Sequence, residues 1–237
     1  FHAQAGIPDA QESRGLGDVY KRQVLNYRSA VINNFNHIVP GSDLQWQAFN
    51  GNGSANPDAA YALAFANGLT AGAVHVVWEK PEWPTPAEYR AGATFSAQDF
   101  HDELITDRLS STGIMNFYSD SGPGVTITDW NVLNEPLHVT HYSDTFETAG
   151  IYTSNIEAWA DYFIRARAIR PDARLLINDY NILNSANDAA TIQYRDLINS
   201  LLAAGAPIDR IGLQAHIALN PITVSYTHLT LPTHRAV

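Results

Sequence analysis

Apolar residues along the chain come in short runs, each closed by polar or proline-rich positions: Asn36-His37-Ile38-Val39, Ala73 to Trp78, Val125 to Leu133, Ala173 to Ile177 and Arg210 to Leu213. Runs of this length, bounded in this way, read as buried strands. Between them the apolar spacing becomes helical, over Asp58 to Leu69, Ala97 to Ile114, Asn155 to Ile169 and Asn187 to Ala203. In the third segment Ile156, Trp159, Phe163 and Ala166 fall on one stripe, Asn155 stands where a cap belongs, and Pro171 follows the end. Strands that alternate with helices predict a parallel sheet with crossover connections. No internal repeat, low-complexity tract or linker interrupts the pattern, so one domain is expected.

In a parallel barrel, reactive side chains sit at the C-terminal ends of the strands. Polar and aromatic residues gather at those places here: Trp78-Glu79, Asn134-Glu135-Pro136, Asn178-Asp179-Tyr180-Asn181 and Gln214-Ala215-His216. A doubly wound open sheet would also line up its strand ends along one edge. No glycine-rich phosphate loop favours that choice. A complete (β/α)8 barrel needs about 250 residues, so a barrel here is expected to be incomplete.

The two ends of the chain follow a different logic. Asp18 to Gln23 (DVYKRQ) back-translates to GATGTGTATAAGAGACAG, whose reverse complement encodes Val224 to His228 (VSYTH) in another frame. Opposite strands of one DNA element have no reason to flank a natural domain, and the element resembles the end sequence of transposase-based sequencing libraries. Such scars are excluded from fold reasoning. The expected organisation is therefore a non-native segment over 1–23, a partial barrel domain over 24–223 and a second non-native segment over 224–237.

Composition narrows the chemistry. Asp and Glu number 24 against 14 Lys and Arg, for a formal net charge of −10, which argues against a nucleic-acid partner. The absence of cysteine excludes disulfides, thiolate metal sites and cysteine nucleophiles. No apolar run approaches the roughly 18 residues of a membrane span, so no membrane partner is expected.

Glu135 follows Trp130-Asn131-Val132-Leu133-Asn134 and precedes Pro136. A carboxyl at a strand end, in an aromatic and partly apolar setting, has its charged form disfavoured. A general acid that must keep its proton near neutrality needs that. Retaining cleavage of a glycosidic bond takes two carboxyl groups about 5–5.5 Å apart, one acid/base and one nucleophile. An amide beside the acid, as Asn134 is, can hydrogen-bond a sugar hydroxyl. On its own, so short a motif as Asn-Glu-Pro reads more readily as a loop with a solvated glutamate. His138 and His141 follow at three-residue spacing, but two loop histidines without a third ligand make a poor metal site, and none is expected.

The combination is more specific. WNVLNEP (Trp130 to Pro136), LINDYN (Leu176 to Asn181) and IDRIGLQAH (Ile208 to His216) resemble, in order and spacing, segments on the fourth, fifth and sixth barrel strands of glycoside hydrolase family ten, the endo-1,4-beta-xylanases. Phe35-Asn36, Leu44-Gln45-Trp46 and Val76-Val77-Trp78 are similar to its second- and third-strand regions. The resemblance implies an incomplete (β/α)8 barrel, approximately strands two to six, from a retaining enzyme that cuts internal bonds of xylan. It implies Glu135 as acid/base, with Asn134 touching the sugar at the cleavage point. Trp78 would wall the glycone site, and Tyr180 would lie near the acid/base. Gln214 and His216 would lie beside the nucleophile, His216 fixing its ionised form. Plain packing is the other reading of Trp78 and Tyr180, a satisfied histidine at a strand end that of His216, and a simple turn that of Asn178 and Asp179. Trp46 and Trp83 fit packing and sugar stacking equally. No cofactor is implied. Secretion is expected, because a polymeric substrate does not enter cells.

The sequence also departs from the family pattern. Gly41-Ser42-Asp43-Leu44-Gln45-Trp46 puts Gln45 where a sugar-binding lysine is usual, and Ser42 where an asparagine is. Gly72-Ala73-Val74 stands in for Arg-Gly-His, with His75 one place late. Side chains alternate along a strand, so His75 reaches the site only if a bulge or shift intervenes. No Asp or Glu follows Asp209 among the 237 residues, so the nucleophile, expected on a seventh strand, is absent and the chain alone is expected to be inactive. A carbohydrate-binding barrel without catalysis, or another barrel glycanase such as a cellulase, are the competing readings.

Overall fold

The computed structural model describes residues 27–41, 44–46, 49, 55–81, 92, 94–118, 127–182 and 189–214. Within them lie strands β1 (His37–Ile38), β2 (Thr70–Ala73), β3 (Val77–Trp78), β4 (Ile127–Asn134), β5 (Arg174–Asp179) and β6 (Arg210–Leu213). All pair in parallel, in the order β1-β2-β4-β5-β6, and β3 continues beyond β2 along the same side of β4. The helices are α1 (Ala55–Ala66), α2 (Ala97–Arg108), α3 (Ile114–Phe117), α4 (His141–Thr148), α5 (Asn155–Ile169) and α6 (Ala189–Ala203). Sequential strands lying side by side, with helices in the crossovers, make part of a (β/α)8 barrel.

The expected strand over Ala73 to Trp78 is in fact two pieces. The chain leaves β2, passes a cis Val74–His75 peptide, and makes a backbone hydrogen bond to β4, Val76 N to Asn131 O at 2.8 Å, before β3 resumes. Carbonyls in this break still need donors. Arg108, fully buried at the end of α2, supplies them: its Nε donates to Val76 O (3.0 Å), and its Nη2 to His75 O (2.7 Å) and Leu44 O. Burial lowers the pKa of the guanidinium to about 10.

Helix ends follow local chemistry. Ser96 and Asp99 form a reciprocal capping box on α2. The helix expected to run to Ile114 stops at Arg108, and α3 starts after Gly113, where a Cβ would lie 2.9 Å from Asp107 O. The cap of α5 is Ser154, not Asn155: Ser154 Oγ accepts from Glu157 N, while the Asn155 amide donates to Asp144 Oδ1 at 2.8 Å. The apolar stripe of α5 packs inward as its spacing indicates, with Trp159, Phe163 and Ala166 buried.

β4 is buried along nearly its whole length, as a central parallel strand covered on both faces should be. Phe100 and Leu104 of α2, Tyr142 and Phe146 of α4, and Phe163 of α5 pack in the same core. Trp46 belongs to it as well: it is buried, stacks on Phe100 at 6.1 Å and donates Nε1 to Asp107. Of its two readings, packing is therefore the one realised. At the sheet's far side β6 pairs, among the described residues, with β5 alone, and Ile211 and Leu213 are about half exposed.

Candidate active site at the strand ends

Neighbouring strands deliver side chains to one point. Asn134 closes β4 and Glu135 is the next residue; Trp78 closes β3; Gln214 follows β6. Glu135 Oε2 accepts Trp78 Nε1 at 3.0 Å, and its Oε1 accepts Gln214 Nε2 at 2.9 Å. The carboxylate is thus gripped from both sides by groups far apart in sequence. Glu135 itself has φ +57°, a left-handed backbone that costs a non-glycine residue about 1–3 kcal/mol and recurs at functional sites. Three backbone bonds hold it there: Glu135 N to Asn178 O at 2.7 Å, and His138 N and Val139 N to Glu135 O, both at 3.0 Å.

Asn134 is completely buried. Its Oδ1 accepts from Asn178 Nδ2 (2.8 Å), Asn131 Nδ2 (3.2 Å) and Gln214 Nε2 (3.4 Å). Its Nδ2 has no partner among the described residues. Three donors on one oxygen fix the amide's orientation, so the free N–H group has a set direction.

The LINDYN segment supports this corner. Asn178 binds Asn134. Asp179, also fully buried, accepts Leu137 N (3.0 Å), Tyr180 N (2.7 Å) and His138 Nδ1 (2.8 Å). Burial raises its carboxyl pKa, and those bonds oppose the rise. The two residues do more than shape a turn. Tyr180 stacks on His138 with centroids 3.8 Å apart and planes 19° apart. Its phenol pKa is raised by burial and then by the charges of Glu135 and Asp179.

His75 reaches the site through the break between β2 and β3. Its Nδ1 lies 2.7 Å from Asn131 Nδ2, and its ring is 5.3 Å from that of Trp78. Burial, with the charges of Arg108 and then Lys80, lowers its pKa to about 3. A neutral ring can accept from the Asn131 amide, extending the network His75–Asn131–Asn134. Strict alternation would have turned this ring away; the local irregularity turns it in. Over the ring of Trp78, Lys80 Nζ sits 3.8 Å from the centroid, a cation–π contact.

Of the residues expected at the site, Glu135, Asn134, Trp78 and Gln214 are joined by hydrogen bonds, and Tyr180 stands beside them. His216, Ser42 and Trp83 lie outside the described residues. Gln45 is buried. Sequence reasoning had no signal for Asn131 or Arg108, since each acts through a partner distant in sequence. Among the described residues no three His, Asp or Glu side chains converge as metal ligands; His138 is engaged with Asp179.

Comparison with known proteins places this geometry. The chain is 28% identical over 201 residues to endo-beta-1,4-xylanase Xyn10C of Cellvibrio japonicus, covering 81% of this chain and 32% of that protein. It is 27% identical over 193 residues to endo-1,4-beta-xylanase C of Phanerodontia chrysosporium, covering 77% and 43%. It spans less than half the length of these relatives. Among solved structures, a mutant xylanase 10C of Cellvibrio japonicus in complex with xylopentaose superimposes with a TM-score of 0.63 at 26% identity, over 81% of this chain and 38% of that one. The fold is shared with xylanase 10B of Thermotoga petrophila in complex with xylobiose, at TM-score 0.63, 19% identity and coverage of 80% and 54%. The model of glycosyl hydrolase family 10 matches residues 9–234, and the chain belongs to that family.

Proposed function

We propose that the complete protein is a retaining endo-1,4-beta-xylanase, with Glu135 as its acid/base. The observation that carries this is the grip on Glu135: a carboxylate at the end of β4, each oxygen bonded by an N–H from the end of another strand. Trp78 offers a sugar-facing wall and an indole that orients the acid. Asn134, one residue away, has an unpartnered Nδ2 of the right chemistry for a substrate hydroxyl next to the bond being cut; it is enclosed in this structure, so substrate reaches it only as the surrounding residues part. Tyr180, stacked on His138, supplies a second aromatic surface beside Glu135.

In the first step Glu135 gives its proton to the leaving oxygen while a second carboxylate attacks the sugar carbon; in the second, Glu135 takes a proton from the incoming water. Neither nearby carboxylate can be that nucleophile, because Asp179 and Glu79 are fully buried and occupied by other donors. The partner carboxylate belongs to a further strand of the complete protein, and the 237 residues alone turn over no xylan. The substrate is xylan or a closely related beta-1,4-linked polysaccharide, and the complete enzyme works outside the cell. Residues 24–223 form the barrel portion in this reading; the DNA element shared by 18–23 and 224–228 supports taking 1–23 and 224–237 as foreign to it, although the family match runs over 9–234.

The test is made on the complete gene product. A Glu135→Ala variant should lose about 10²–10⁴-fold in xylan hydrolysis, yet keep much of its rate of glycosylation by an aryl xyloside whose leaving group needs no proton. Equal losses on both substrates would remove Glu135 from the acid role. Binding of xylo-oligosaccharide without turnover would favour the carbohydrate-binding reading, and faster turnover of a beta-1,4-glucan than of xylan the cellulase reading.

A further inference from the structure

Glu79 directly follows Trp78, but it faces the other way and is completely enclosed. Its Oε2 accepts both Ser143 N (3.1 Å) and Ser143 Oγ (2.6 Å), and its Oε1 accepts Trp159 Nε1 (3.0 Å). Its backbone carbonyl accepts His141 N at 3.2 Å. The residue beside Trp78 is therefore tied to the first turn of α4 and to α5. Helix α4 begins six residues after Glu135, and the stretch between them is pinned at its near end by Asp179, through Leu137 N and His138 Nδ1. Two buried carboxylates bracket the segment that carries the acid/base.

Ser143 gives the bracket two states. Its Oγ lies 2.6 Å from Glu79 Oε2 and 3.2 Å from Thr140 O, at the start of α4. A hydroxyl has one proton to donate. With Glu79 ionised, that proton goes to the carboxylate. When Glu79 takes a proton from solvent, its new O–H needs an acceptor, and the nearest is the same Ser143 oxygen; the hydroxyl proton then turns to Thr140 O. Burial drives the carboxyl toward its neutral form and raises its pKa to about 7, against the lowering effect of the bonds from Ser143 and Trp159 and of the nearby Tyr162 hydroxyl. The titratable group facing it from α5 is Tyr162, with Tyr142 of α4 and Tyr152 beside that phenol, and burial and the Glu79 charge push Tyr162 well above the usual tyrosine value. His141 meets Glu79 through its backbone N–H.

We propose that Glu79 is a positioning residue acting as a proton-operated clamp: its ionisation decides whether the Ser143 hydroxyl is tied to Glu79 or to Thr140, and so how segment 136–143 holds Glu135 against Trp78. The inference rests on Glu135 being the acid/base, but its test does not use turnover.

The experiment is a titration of the 15N-labelled 237-residue chain from about pH 5 to 9, following the indole N–H signals of Trp159 and Trp78, each assigned by Trp→Phe substitution. Trp159 reads Glu79 directly, and Trp78 reads Glu135. Both are expected to shift together with a midpoint near 7, and Glu79→Gln should abolish both transitions. Ser143→Ala removes a donor to the ionised form, so it should raise the Trp159 midpoint and shrink the Trp78 response. In Glu135→Gln the Trp159 curve should persist, which separates this clamp from the acid/base reading. The clamp is overturned if Trp159 fails to titrate, if Trp159 titrates while Trp78 does not follow, or if Ser143→Ala leaves both curves unchanged.

Discussion

Two titratable groups near the site, Glu79 and His75, pull the stability of the fold in opposite directions as pH changes, and one substitution should unmask the opposition. Burial raises the Glu79 carboxyl from 4.5 to about 7. A group whose folded pKa exceeds its unfolded value contributes stability that is full below the unfolded pKa and is lost as pH rises through the folded one, here between pH 4.5 and 7. His75 goes from 6.5 to about 3 by burial and the charges of Arg108 and Lys80. Its neutral folded form gives full stability above pH 6.5, and that is lost as pH falls toward 3. Within its window each group contributes a slope of about 1.4 kcal/mol per pH unit. The windows overlap between the unfolded pKa values of 4.5 and 6.5, and there the two slopes cancel. In Glu79→Gln only the histidine slope survives, so the variant should gain about 3 kcal/mol across that interval relative to the parent chain. His75→Gln should lose about as much. The glutamine has its own cost, because one amide oxygen cannot serve both the Ser143 and the Trp159 donors; that is about 1–3 kcal/mol and does not vary with pH, so the slope is diagnostic. The assay is urea unfolding followed by tryptophan fluorescence at several pH values, extrapolated to water. Parallel stability curves for Glu79→Gln and the parent chain would refute the assignment of a buried, near-neutral carboxyl.

Three further outcomes follow from particular contacts. Arg108→Met leaves the carbonyls of Leu44, His75 and Val76 without their buried donor and should cost about 3–5 kcal/mol; a loss under about 1 kcal/mol in the same urea experiment would mean water replaces the guanidinium. Gly212→Ala would put a Cβ 2.6 Å from Asn178 Oδ1, displacing the amide that orients Asn134, so xylo-oligosaccharide affinity by calorimetry in the complete protein should fall about tenfold, about 1.4 kcal/mol. Unchanged affinity would detach Asn178 from the site. Ser154→Ala should cost about 1 kcal/mol as a lost helix cap, and Asn155→Ala less; the reverse order in thermal melts would return the cap to Asn155.

What the sequence made legible here was whatever depends on periodicity and on strand ends. The runs over β4, β5 and β6 needed only the contrast between short apolar stretches and their polar closures, and the same rule brought Glu135, Asn134, Trp78 and Gln214 to one mouth. Helix α4 was not legible, because HYSDTFET buries only Tyr142, Ser143 and Phe146, too few positions in eight residues to carry a helical period. The break inside Ala73 to Trp78 was illegible for another reason: the run is apolar throughout, and what interrupts the strand is the supply of donors from Arg108, a residue 30 positions away whose charge would ordinarily mark a solvated face. The same holds for His75, Asn131 and Glu79. Each is a polar residue whose orientation is fixed by a partner on another element, so its role is a property of the packed sheet and not of its own segment. The consequence for the site is specific. The residues proposed to meet substrate sit at strand ends, where pattern alone finds them, while those that set their geometry lie one step behind, in the breaks and helix starts where pattern is weakest. The departures at Gln45 and Val74 belong to that second group: Gln45 is buried and His75 is brought in by the strand break, so the corner behind Glu135 is built from the buried network His75–Asn131–Asn134, an arrangement the segment's own pattern does not announce.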